Sequence, residues 1–77
     1  MDPRGRKTLI MGLGRSGAAA ARLCLARGAE VIATDRRDED ALGEVAGELR
    51  AAGAELVLGE HRREDFLGAD VIVLSPG

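Results

Sequence analysis

Thr8-Leu9-Ile10-Met11-Gly12-Leu13-Gly14-Arg15-Ser16-Gly17 is the stretch that decides the fold. Its first four residues read as a strand, and an alanine-rich helix begins at Ser16. Glycine fills the corner between them. Gly12 allows a tight turn, Gly14 lets the backbone approach a ligand closely, and Gly17 lets the helix pack near the strand. The first N–H groups of the helix have no partner within it, and the positive end of its dipole faces the same corner. Such a corner suits the phosphates of a nucleotide. The competing reading is a tight turn with purely structural glycines, since this spacing also arises by chance.

Helix and strand signals alternate from there on. Between Ser16 and Arg27, the residues Gly17, Ala20, Ala21, Cys24 and Leu25 recur on one helical face, and Gly28 supplies a left-handed stop. Residues 30–34 are a β-branched run and form the second strand. Asp38 is predicted to cap a second helix that carries Glu39 and Asp40 in its first turn. Its buried stripe is Leu42, Val45, Ala46 and Leu49, and Gly53 ends it. Gly43 and Gly47 weaken that helix by about 1 kcal/mol each relative to Ala. Residues 55–58 form a third strand, residues 64–67 a helical turn, and residues 70–74 a fourth strand that runs into Ser75-Pro76-Gly77. Arg27-Gly28-Ala29-Glu30-Val31 and Ala52-Gly53-Ala54-Glu55-Leu56 repeat one device, a glycine that stops a helix just before a strand. Two such echoes mark successive β–α–β units rather than a solenoid.

Strands separated by helices imply a parallel sheet with right-handed crossovers. The expected architecture is an α/β, Rossmann-like open sheet with strands in the order 3-2-1-4. Its switch point lies between strands one and four, where ligands sit at the carboxyl ends. All the strands are apolar on both faces, which calls for cover on both. Two helices cover one face, and the connector of residues 59–69 is thin cover for the other. The expectation is a piece of a longer multidomain protein, or a domain that hides its bare face by self-association.

Composition narrows the classes. The 77 residues make a single domain over 1–77, with residues 1–6 expected to be disordered. A chain of this size buries roughly 60–65% of its unfolded surface. Thirteen acids against eleven Lys and Arg leave a formal net charge of −2, which is no electrostatic footprint for nucleic acid. No apolar run approaches membrane-spanning length, and no signal core follows the basic opening residues. The lone Cys24 fits a reducing compartment, so a cytoplasmic setting is expected.

Few residues are candidates for chemistry. Arg15 opposes the helix dipole by a few tenths of a kcal/mol, a sign that a bound diphosphate would reverse; otherwise it is a solvated arginine. Ser16 either donates to a phosphate or acts as an ordinary N-cap. Asp35 ends the second strand about twenty residues beyond the glycines, where an acid accepts a ribose hydroxyl. Arg36 and Arg37 beside it either accommodate a 2′-phosphate or are solvated turn residues. His61, within Glu60-His61-Arg62-Arg63-Glu64-Asp65, has no second ligand at metal spacing and reads as a solvated connector histidine. No nucleophile–base pair and no Gly-Lys-Ser/Thr loop for ATP are present, so no catalytic or metal-binding residue is expected.

Taken together, Gly12 to Gly17, Leu25 to Val31, Thr34-Asp35, Leu58-Gly59-Glu60-His61 and above all Ala69-Asp70-Val71-Ile72-Val73-Leu74-Ser75-Pro76-Gly77 resemble the amino-terminal domain of the Mur ligases. The resemblance covers about Lys7 to Gly77, and the apolar strand running into Ser-Pro-Gly is its discriminating piece. It implies that the domain holds the UDP part of a UDP-linked sugar–peptide precursor, with Gly12, Gly14 and Gly17 forming the turn. Arg15 and Ser16 would meet the diphosphate. Asp35, Arg36 and Arg37 would border the uracil and ribose, while Ser75 and Gly77 would close over the uracil from the opposite lip. The parent would be an ATP-dependent ligase adding D-glutamate during peptidoglycan synthesis, with ATP and magnesium bound by other domains of the same protein. This chain alone would turn over nothing. Two alternatives remain: an NAD(P)-binding domain of an oxidoreductase, and a non-enzymatic dinucleotide-sensing domain.

Overall fold

The computed structural model describes residues 5–75. Four parallel strands lie in the order β3-β2-β1-β4, with β1 at Lys7–Met11, β2 at Glu30–Asp35, β3 at Glu55–Leu58 and β4 at Val71–Leu74. The helices are α1 (Arg15–Ala26), α2 (Glu39–Leu42), α3 (Glu44–Ala51) and α4 (Arg63–Gly68). The order is the one the sequence implies. Of the opening residues, 1–4 lie outside the described ones; the Gly5 amide donates to Gly28 O, and Arg6 O accepts from Glu30 N.

The repeated glycine device is a pair of Schellman motifs. After α1, Gly28 N donates to Leu25 O and Ala29 N to Cys24 O; after α3, Gly53 N donates to Arg50 O and Ala54 N to Leu49 O. Each set satisfies carbonyls that a helix end leaves without partners, and turns the chain at once into the next strand. The second helix differs from its expected form. Asp38 does cap it, accepting from Ala41 N at 2.9 Å, but the helix stops after one turn. Gly43 takes φ +66°, which an α-helix excludes and glycine adopts at no steric cost, so the ladder restarts at Glu44 as α3.

Register and alternation divide the side chains between two faces. Ile10 pairs with Ala33 and Val73, and Ala33 with Leu56. That row packs with Leu13, Ala21, Val31 and Leu49 into the core under α1 and α3, with Leu42 and Val45 at its margin. Ala18 also lies in the buried face of α1. The other face carries Leu9, Thr34 and Val57, all buried. Its cover is the connector and α4. Arg62 anchors that cover: its guanidinium meets the buried Asp65 at 3.0 Å and Glu55 on β3 at 2.6 Å. Among the described residues, Leu67 on α4 and Ile72 and Leu74 on β4 remain exposed, at 75%, 44% and 72%.

Candidate functional site

The glycine corner is locked from both sides. Gly12 N donates to Thr34 O at 2.8 Å, and Ser75 N donates to Met11 O at 2.9 Å. Gly12 sits at φ +92°, and a Cβ there would lie 3.0 Å from Ser75 O. A Cβ on Gly17 would collide with the Gly12 carbonyl oxygen. Gly17 therefore serves the close packing of α1 against its own turn, as the spacing implied. Gly14 is the N-cap of α1 and offers no side-chain cap, and the first turn holds no acid. The N-cap thus gives the opening amides of α1 no side-chain partner, and within the helix they have none.

Asp35 ties this corner to the end of β2. Its Oδ2 accepts from Leu13 N at 2.7 Å and from Arg37 Nη2 at 2.8 Å, while Oδ1 accepts from Arg37 N at 2.8 Å and Arg37 Nε at 3.0 Å. The Arg37 guanidinium, helped by the two amides, holds the Asp35 carboxyl well below the usual carboxylate range, against the opposing effect of burial. Asp35 in turn pushes Arg37 up. The carboxylate is buried and its lone pairs are largely spent on protein donors.

Two clefts open on either side of Arg37. One, of about 440 Å³, is lined by Gly12, Asp35, Arg36, Arg37, His61 and Ser75 among others. The second, of about 430 Å³, lies between α1 and α2–α3, with Gly14, Arg15, Arg22 and Arg37 in its lining. The expected site residues are thus divided between neighbouring hollows that share Arg37. Ser16 is exposed and Gly17 buried, and neither lines these two clefts; Gly77 lies outside the described residues. Arg22 is paired with Glu48 at 2.9 Å. Arg15 and Arg36 are exposed and have no ion-pair partner among the described residues. With Asp35 neutralised by Arg37, the mouth presents cations and bare amides, an arrangement suited to an anion.

One reading needs correction. His61 is not a solvated connector histidine: it is half-buried, lines the larger cleft, and places Nδ1 2.6 Å from Thr34 Oγ1. The local charge cluster hid this, because its partner Thr34 is distant in sequence. Among the described residues, no group of His, Cys, Asp and Glu is arranged to hold a metal ion, and no helix is long and apolar enough to cross a membrane.

Comparison with known proteins adds a lineage to this geometry. The family described as "Mur ligase MurD-like, N-terminal domain" matches residues 6–77. A UDP-N-acetylmuramoylalanine–D-glutamate ligase of Trichlorobacter lovleyi is 48% identical over 77 residues, covering 100% of this chain and 17% of that protein. One from Anaeromyxobacter dehalogenans is 50% identical over 74 residues, covering 96% of this chain and 16% of its own length. The chain therefore spans about one sixth of the relatives it matches. Among solved structures, the precorrin-2 dehydrogenase SirC superposes with a TM-score of 0.75 at 21% identity, over 100% of this chain and 37% of its own. A thioredoxin reductase from Gloeobacter violaceus gives 0.73 at 18% identity, over 94% and 26%. At such identities the likeness shows the fold alone.

Proposed function

Because the chain belongs to the Mur ligase MurD-like N-terminal domain family, we propose that its clefts hold the UDP moiety of UDP-N-acetylmuramoyl-L-alanine. The observation that carries this reading is the mouth itself. Uncapped amides of α1, with Arg15 and Arg36, cations that have no ion-pair partner among the described residues, flank a hollow at the carboxyl ends of β1, β2 and β4. Gly12, Gly14 and Gly17 shape the turn, and Arg15, Ser16 and the α1 amides take the diphosphate. Arg36 and Arg37 border the nucleoside, with Asp35 acting through Arg37, which it holds on the boundary between the clefts. Ser75 forms the opposite lip.

The parent activity is ATP-dependent addition of D-glutamate in cytoplasmic peptidoglycan synthesis. ATP and magnesium are assigned to the remaining length of the longer protein, since no Gly-Lys-Ser/Thr loop occurs in this sequence. A partial site lacks the preorganisation that neighbouring domains supply, so the chain alone binds weakly and catalyses nothing. Calorimetric titration tests the reading. UDP is expected to bind with a dissociation constant in about the high micromolar range. Heat on adding NADP with none on adding UDP would overturn it in favour of an oxidoreductase cofactor domain.

A further inference from the structure

Resting on the reading that the cleft takes a uridine diphosphate, we infer that His61 recognises the base, accepting the imide N–H of a uracil ring at Nε2. His61 is the chain's single histidine and stands in the connector between β3 and α4, facing the same cleft as Gly12, Arg36 and Ser75. The hydrogen-bond network around it assigns its tautomer. Thr34 Oγ1 lies 3.0 Å from the Glu60 carbonyl oxygen and 2.6 Å from His61 Nδ1. A carbonyl only accepts, and a hydroxyl carries a single proton. The Thr34 proton therefore goes to Glu60, and Nδ1 supplies the proton of the shorter contact. A neutral ring protonated at Nδ1 keeps its lone pair on Nε2. Thr34 is 1% exposed near the end of β2, so the ring is held from a rigid point of the sheet.

The charged side chains of the cleft do not supply that acceptor. Arg36 and Arg37 offer donors only. Asp35 already accepts from Leu13 N, from Arg37 N and from the Arg37 guanidinium. The edge of uracil runs carbonyl, imide N–H, carbonyl. Donors for its carbonyls are at hand, and the imide N–H is the group that needs a partner. Cytosine presents a bare ring nitrogen at that position, which would set two acceptors against each other at Nε2. His61 thus favours uridine over cytidine diphosphate.

The single histidine makes the test direct, because its ring nitrogens give an unambiguous ¹⁵N signature. In mildly alkaline buffer, the free chain is expected to show Nδ1 protonated and Nε2 bare. Adding UDP is expected to move the Nε2 resonance toward its hydrogen-bonded position. Wild-type chain is expected to bind UDP about fivefold or more tightly than CDP, and His61→Phe to bind both alike. An Nε2 that is protonated in the free chain, or stays unmoved while UDP shifts the amides of residues 14–17, overturns the role of His61. So does a His61→Phe variant that keeps the UDP preference. Those results leave the UDP-holding reading standing, whereas amides that ignore UDP altogether bring down both. The wild-type ring spectrum decides the matter even if the variant fails to fold.

Discussion

Asp35 and Arg15 carry opposite lessons about single charges. Asp35 is a buried carboxylate held by protein donors, so its loss is a structural event. Asp35→Asn leaves Arg37 without its anion and costs about 1–3 kcal/mol at neutral pH by urea denaturation. The folded-state pKa is depressed, so the stabilisation is fully present above the unfolded value near about 4 and is lost as pH falls below it. Wild-type stability should therefore drop more steeply than that of Asp35→Asn on acidification below about pH 4; equal slopes would contradict the assignment. Arg15 is exposed at the first position of α1, where a cation opposes the dipole. Arg15→Glu should raise stability by about 0.3–1 kcal/mol while weakening UDP binding about fivefold or more. Tighter UDP binding by that variant would remove Arg15 from the site. The position of Asp35 was legible from its distance to the glycines. Its local bond to Arg37, two residues on, lay within reach of the sequence, but its donor Leu13 did not, because Leu13 meets Asp35 only once β1 and β2 pair. His61 was hidden for the same reason, its anchor Thr34 being brought near by the sheet.

At the scale of elements, the glycines separate local from tertiary causes. Gly47 lies within α3 with nothing within 4 Å of a Cβ built on it, whereas one built on Gly17 strikes the Gly12 carbonyl oxygen. Gly47→Ala should stabilise the chain by about 0.5–1 kcal/mol through helix propensity. The same change at Gly17 should destabilise it by about 2 kcal/mol or more, because α1 must lift off its turn. Thermal unfolding of both variants checks the pair, and similar shifts at the two sites would refute the packing role of Gly17. The Schellman ends of α1 and α3 were legible because a glycine stop and a following strand are local signals. The break at Gly43 was not. Its cost as a helical residue is only about 1 kcal/mol, too small for sequence pattern to decide between a weakened helix and two short ones.

Across the whole molecule, the strand order was legible because right-handed crossovers leave a parallel sheet few arrangements. The second face carries the thin cover the connector implied, the connector itself and the short α4. Arg62, bonded to Asp65 and Glu55, ties the start of α4 to β3, while Leu67 of α4 and Ile72 and Leu74 of β4 stay exposed. The sheet in turn brings residues that are far apart in the chain, Gly12, Arg36, His61 and Ser75, to one hollow at its carboxyl end. That hollow, with the cations and uncapped amides beside it, is the centre of the functional claim. The backbone ¹H–¹⁵N spectrum of the chain, recorded while UDP is added, tests it most directly. Saturable shifts are expected at Gly14 to Gly17, Arg36, His61 and Ser75, fading as salt screens the phosphate contacts. Shifts that leave these amides still, or that appear with NADP and not with UDP, would contradict it.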